Sequence, residues 1–66
     1  MIVVLNGKEA EIVEGATMLM VLEGLELAPE TVVVELNKDI LPSDAFCDTV
    51  LRDGDRLEVL RFVGGG

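Results

Sequence analysis

The stretch "RDGDRLEVLRFVGGG", residues 52–66, sets a turn, a strand and three glycines in immediate succession. Residues 52–55 carry Asp-Gly-Asp, residue types that reach turn geometry at little cost. Residues 56–63 are rich in branched and aromatic apolar side chains and predict a strand. Its counterpart is the opening run "MIVVL", residues 1–5, a short apolar segment suited to a strand buried on both faces. A helical stretch lies between the two. Strands joined by a long crossover that contains a helix pair in parallel, so the first and last strands are expected side by side at the centre of the sheet.

The intervening sequence completes that plan. Asn6-Gly7 is a strong two-residue hairpin signal, and residues 8–13 alternate charged with small or apolar residues, Ala10 and Ile12 to one side and Lys8, Glu9 and Glu11 nearer water. Thr17 is placed to cap a helix on which Met18, Leu19, Val21, Leu22 and Leu25 form one apolar stripe that covers the sheet. Gly24 is expected to end it, and Ala28-Pro29 to prevent its continuation. Residues 31–37 predict a strand, Lys38-Asp39 a turn, and residues 40–42 a brief extended piece. Residues 43–50 predict a short helical turn with Ser43 as its cap. The expected fold is α+β: a β-grasp, ubiquitin-like, with a mixed sheet of four to five strands and one main helix packed on one face. Residues 1–63 form the domain, and 64–66 a flexible glycine tail.

Composition restricts the chemistry. Sixty-six residues allow one domain. A chain near this size buries only about 60% of its unfolded surface, enough for one small core and not for an enclosed active-site cavity. There is no His, Tyr or Trp, and the one cysteine, Cys47, has no partner for a disulfide, a zinc site or an iron–sulfur cluster. Cys47 reads as a small side chain packed near Phe46. Asp53 and Asp55 read as turn residues, since the other ligands of a calcium loop are missing. Thirteen acidic against five basic residues give a net charge of −8, which repels phosphate backbones and anionic lipid, so neither nucleic acid nor membrane is expected as a partner. The longest uncharged apolar run, residues 16–22, is far short of the roughly 18 residues of a membrane span, and the first residues lack a basic leader. The expectation is a soluble cytoplasmic protein.

The opening strand with "NG", the segment "ELNKDILP", the "DGD" turn and a final strand running into terminal glycines together resemble the ubiquitin-like sulfur carrier proteins, above all the ThiS family of thiamine biosynthesis. The likeness spans essentially the whole chain. It implies a carrier rather than an enzyme, with no bound cofactor and no metal. In such a cycle Gly66 is the reacting residue, and Gly65 and Gly64 thread a partner's channel. A ThiF-like activating enzyme uses ATP and magnesium to adenylate the Gly66 carboxylate, and persulfide sulfur displaces AMP. The resulting thiocarboxylate supplies a ThiG-like thiazole synthase. The family's ending is a diglycine, and Gly64 is an additional glycine before it.

The residues themselves are compatible with that role. An α-carboxyl group ionises at about pH 3.3–3.7, so at neutral pH Gly66 offers an oxygen nucleophile. Basic residues are few and scattered, so the clamp on ATP must come from the partner. Docking is expected on the sheet face away from the helix, through Leu57, Val59, Arg61 or Val63 according to register, edged by acidic residues such as Glu58. Three other readings share the tail. They are a carrier for molybdopterin or tungsten cofactor, cysteine or tRNA thiolation; a ubiquitin-like protein modifier; and a β-grasp interaction module with an incidental tail.

Overall fold

The computed structural model describes residues 1–62. Five strands form one sheet: β1 (Ile2–Leu5), β2 (Lys8–Glu11), β3 (Val32–Leu36), β4 (Asp39–Leu41) and β5 (Arg56–Arg61). Helix α1 (Met18–Gly24) crosses between β2 and β3, and two single 3-10 turns span Pro29–Thr31 and Ser43–Ala45. The sheet order is β2-β1-β5-β3-β4, with β5 at the centre, parallel to β1 and antiparallel to β3. This is the β-grasp expected from the two apolar terminal strands.

Period-two alternation decides which side chains are buried. Val3, Val32, Val34, Leu57 and Val59 point to one face, where Met18 and Leu22 of α1 close over them with Phe46 and Leu51. Val3 is fully buried while Ile2 is exposed, so β1 covers a core on one face only. The expectation that it would be buried on both faces is corrected, because the single helix leaves the opposite face of the sheet uncovered.

Each end of α1 is satisfied by a specific device. Of the first amides, Met20 donates to Thr17 Oγ1 at 3.2 Å, as the capping expectation requires. Met18 and Leu19 donate instead to the carbonyls of Thr49 and Phe46, at 3.0 and 3.1 Å. The segment after β4 is thus tied to the helix start, which explains the complete burial of Phe46. At the other end Leu27 donates to Leu22 O and Glu26 to Glu23 O, while Glu26 takes a φ of 60°. That pair of bonds is a Schellman motif whose left-handed residue is Glu26, so Gly24 remains the last helical residue and does not itself reverse the chain.

Three further expectations shift slightly. The second hairpin turns at Asn37-Lys38, both at positive φ, rather than at Lys38-Asp39, because a two-residue turn of this hand needs consecutive left-handed residues and Asn enters that region readily. Ser43 begins its 3-10 turn and makes no side-chain cap bond; Pro42 occupies the cap position. Cys47 is exposed, its Sγ 3.7 Å from Asp48 Oδ1, because the short turn directs Phe46 inward and leaves its neighbour outside.

Candidate functional site

Strand β5 leads to the glycines, so what fixes β5 fixes the root of the tail. Arg52 and Asp55 close the preceding turn through Asp55 N–H to Arg52 O at 3.1 Å and Arg52 N–H to Asp55 Oδ2 at 2.8 Å. Asp53 Oδ1 accepts the Ile2 N–H at 2.7 Å, and Gly54, at φ 88°, donates to Ile2 O. The Asp53 carboxylate therefore ties this turn to β1, while the Asp55 carboxylate closes the turn itself and accepts from Asn37 Nδ2. Among the described residues no three Asp, Glu, Cys or His side chains are grouped to hold a metal ion.

Two asparagines extend this support. Asn37 exchanges bonds with Arg56, its N–H to Arg56 O at 2.8 Å and its Oδ1 accepting the Arg56 N–H at 2.9 Å, while its Nδ2 reaches Asp55 Oδ1. Asn6 sits where β1 ends. Its Oδ1 accepts the Val59 N–H at 2.8 Å and its Nδ2 donates to Val59 O at 3.3 Å, so the side-chain amide continues the ladder that the β1 backbone has left. Replacing Asn6 by Ala leaves both Val59 groups without this partner. We expect the Asn6→Ala variant to lose about 1–3 kcal/mol, measured by urea denaturation.

The expected docking residues separate into two groups. Leu57 (0% exposed) and Val59 (7%) face the core, which corrects their assignment to the open face: the β3 and β1 pairings turn both toward α1. Glu58 and Arg61 are exposed, and Val63 lies outside the described residues. So do Gly64, Gly65 and Gly66. The exposed apolar side chains of β5 and its end on the open face are instead Leu60 (60% exposed) and Phe62 (50%), with Val33 directly opposite Leu60 on β3; Ile40, opposite Glu35 on β4, shares that face. One signal in the sequence points to them: Arg56 and Glu58 put two charges in one parity of the strand against Arg61 alone in the other, and with period two they take Leu60 and Phe62 to their own side.

This face carries an unusual charge arrangement. Glu35 and Glu58 are cross-strand partners, and like charges directly opposed are unfavourable in a sheet. Among the described residues the one ion pair joins the Met1 amino group to Glu14 at 3.9 Å, so neither glutamate has a cationic partner there. The root of the tail thus lies at an apolar patch bordered by uncompensated negative charge.

Known proteins share this fold. The crystal structure of the thiamine biosynthesis protein ThiS from Geobacter metallireducens superposes with a TM-score of 0.84 at 39% identity, covering 100% of both chains. Sulfur carrier protein ThiS of Bacillus subtilis is 35% identical over 63 residues, 94% of this chain and 96% of that one. A thiazole synthase from Magnetococcus marinus is 40% identical over 62 residues, which is 94% of this chain but 19% of that protein. This chain therefore spans about a fifth of that curated relative's length. The ThiS family model matches residues 3–66, and with it the closing glycines: the chain belongs to the ThiS family.

Proposed function

We propose that this chain is the sulfur carrier protein of a thiamine pathway, working in the cytoplasm, with the Gly66 carboxylate as its reacting group. The observation that carries this reading is a family likeness that runs through residue 66, directly beyond a central strand held on both flanks. A ThiF-like activating enzyme supplies ATP and magnesium. The Gly66 carboxylate oxygen attacks the α-phosphorus, pyrophosphate leaves, and an acyl-adenylate forms. A persulfide sulfur then displaces AMP, and reduction of the sulfur–sulfur bond by a thiol leaves a thiocarboxylate on Gly66. The carrier is a co-substrate of this reaction and holds no cofactor of its own.

The physical division of labour follows from the residues. Without Cβ atoms, glycines pass a narrow channel and reach backbone angles closed to other residues. Residues 64–66 span roughly 10 Å when extended, enough to carry a carboxylate from the end of the domain into a partner's pocket. Thiazole synthase is the natural acceptor. The Magnetococcus marinus protein of that name contains a stretch like this chain within its own length, and tethering a carrier to its acceptor raises the effective concentration of the encounter.

Incubation with the activating enzyme, ATP, magnesium and a sulfur donor is expected to replace one oxygen of the intact protein by sulfur, read by intact-mass spectrometry; an unchanged mass refutes the proposal. Leu60, Phe62 and Val33, bordered by Glu35 and Glu58, form the surface we assign to docking of the activating enzyme, with a basic residue of the partner meeting the two glutamates. Leu60→Glu is expected to weaken that complex by about tenfold or more, since a central apolar contact is worth upwards of 1.4 kcal/mol. Titration calorimetry checks it, and wild-type affinity would exclude this face.

A further inference from the structure

Away from the tail, a groove of about 360 Å³ runs between α1 and the hairpin, lined by Ala10, Ile12, Val13, Met20, Val21 and Leu25 among others. Val13, Met20 and Leu25 remain 66%, 48% and 43% exposed, so three large apolar side chains meet at one concavity of a strongly acidic chain. The groove follows β2, one of the two outer strands of the sheet. Ile12 donates its N–H to Met1 O, and the Met1 amino group donates to Ile12 O, both at 2.9 Å. Antiparallel alternation then makes Lys8 and Ala10 the residues of β2 whose backbone bonds face β1, and turns the N–H and C=O of Glu9 and Glu11 outward. Those groups form an open ladder beside an apolar groove.

Register fixes what such a ladder would select. Ala10 pairs with buried Val3 and lies on the core side, whereas Glu9 and Glu11 pair with Val4 and Ile2 and lie on the open face. A strand laid along β2 would therefore place alternate side chains in the groove and the intervening ones beside two glutamates. We propose that β2 accepts an extended segment of a partner protein as a sixth strand of the sheet, with Val, Ile or Leu at the groove positions and Lys or Arg between them. A second copy of this chain is a poor occupant. Antiparallel pairing of β2 with itself sets glutamates against glutamates, which is unfavourable. The same charges that protect this edge from self-association thus admit a basic strand. This surface is separate from the tail and does not depend on the sulfur chemistry.

The test titrates the isotope-labelled full chain with a blocked heptapeptide alternating lysine with valine or isoleucine, against a peptide of the same composition arranged in two blocks. The alternating peptide is expected to shift the Met20 and Leu25 methyl signals and to slow amide exchange at Glu9 and Glu11 by about tenfold. Glu11→Pro removes an outward N–H and keeps the bonds to β1, a substitution that edge strands tolerate. It is expected to weaken binding about tenfold, and Glu11→Gln by less. Met20→Lys, at an exposed position, is expected to weaken it as much and serves if the proline variant does not fold. Equal affinity for the blocked-composition peptide, perturbation centred on Val33 and Leu60, or shifts at Glu9 and Glu11 that grow with protein concentration alone would each overturn the proposal.

Discussion

Appending one alanine after Gly66 is expected to lower thiocarboxylate formation by about a hundredfold or more, in the same intact-mass assay, with no change in the melting temperature of the domain. Two effects combine. The extension displaces the terminal carboxylate by about 3.5 Å, so an oxygen aligned for attack on phosphorus no longer reaches it. It also places a Cβ at the position that must enter the channel, where the native chain has none. Appending glycine separates the two, since it moves the carboxylate without adding a side chain. If reach dominates, both extensions fail alike; if channel width dominates, the glycine variant keeps most of the rate. Turnover of both variants at the native rate would mean that the chain end is not the reacting group.

The architecture was legible because its determinants are local and period-based. Asn6-Gly7, the Thr17 cap and the apolar stripe from Met18 to Leu22 each specify an element with neighbours only a few residues away, whereas Leu25, expected on the same stripe, lies past the helix end and is 43% exposed. The parallel pairing of β1 with β5 was legible from connectivity alone. The orientation of β5 was less so, because "RLEVLRF" carries both apolar and charged residues in each parity, Arg56 and Glu58 on one side against Arg61 on the other. What sequence could not convey are contacts between distant residues: Asn6 read as a turn residue, yet its side chain bonds Val59, 53 positions away. Glu26 likewise takes a left-handed conformation that glycine usually fills, held by the helix-end bonds around it. The open edge beside the groove was illegible for the same reason. It exists only once β2 is known to be outermost.

Leu57→Ala carries the largest expected loss of stability. Leu57 is fully buried, pairs with Leu5 on β1 and with Leu36 on β3, and belongs to the cluster that Met18 and Leu22 cover. Truncating a leucine in such a site costs about 2–5 kcal/mol, with the upper half expected where backbone is pinned on both sides and the cavity cannot collapse. At roughly 0.05–0.15 kcal/mol per residue, a domain of this size has a total stability of only about 3–10 kcal/mol. The loss is therefore a large fraction of the total, and the urea midpoint should fall in proportion. The protein has neither Trp nor Tyr, so the transition is followed by far-ultraviolet circular dichroism in urea. Leu60→Ala provides the contrast on the same strand. Its side chain is 60% exposed, and surface truncations of this kind stay within about 0.5 kcal/mol. Since successive positions differ in face, a loss of partner binding means different things at each: at Leu60, with the fold intact, it reports docking, and at Leu57 it reports unfolding. A Leu57→Ala variant that lost less than about 1 kcal/mol would contradict the assignment of that side chain to the core.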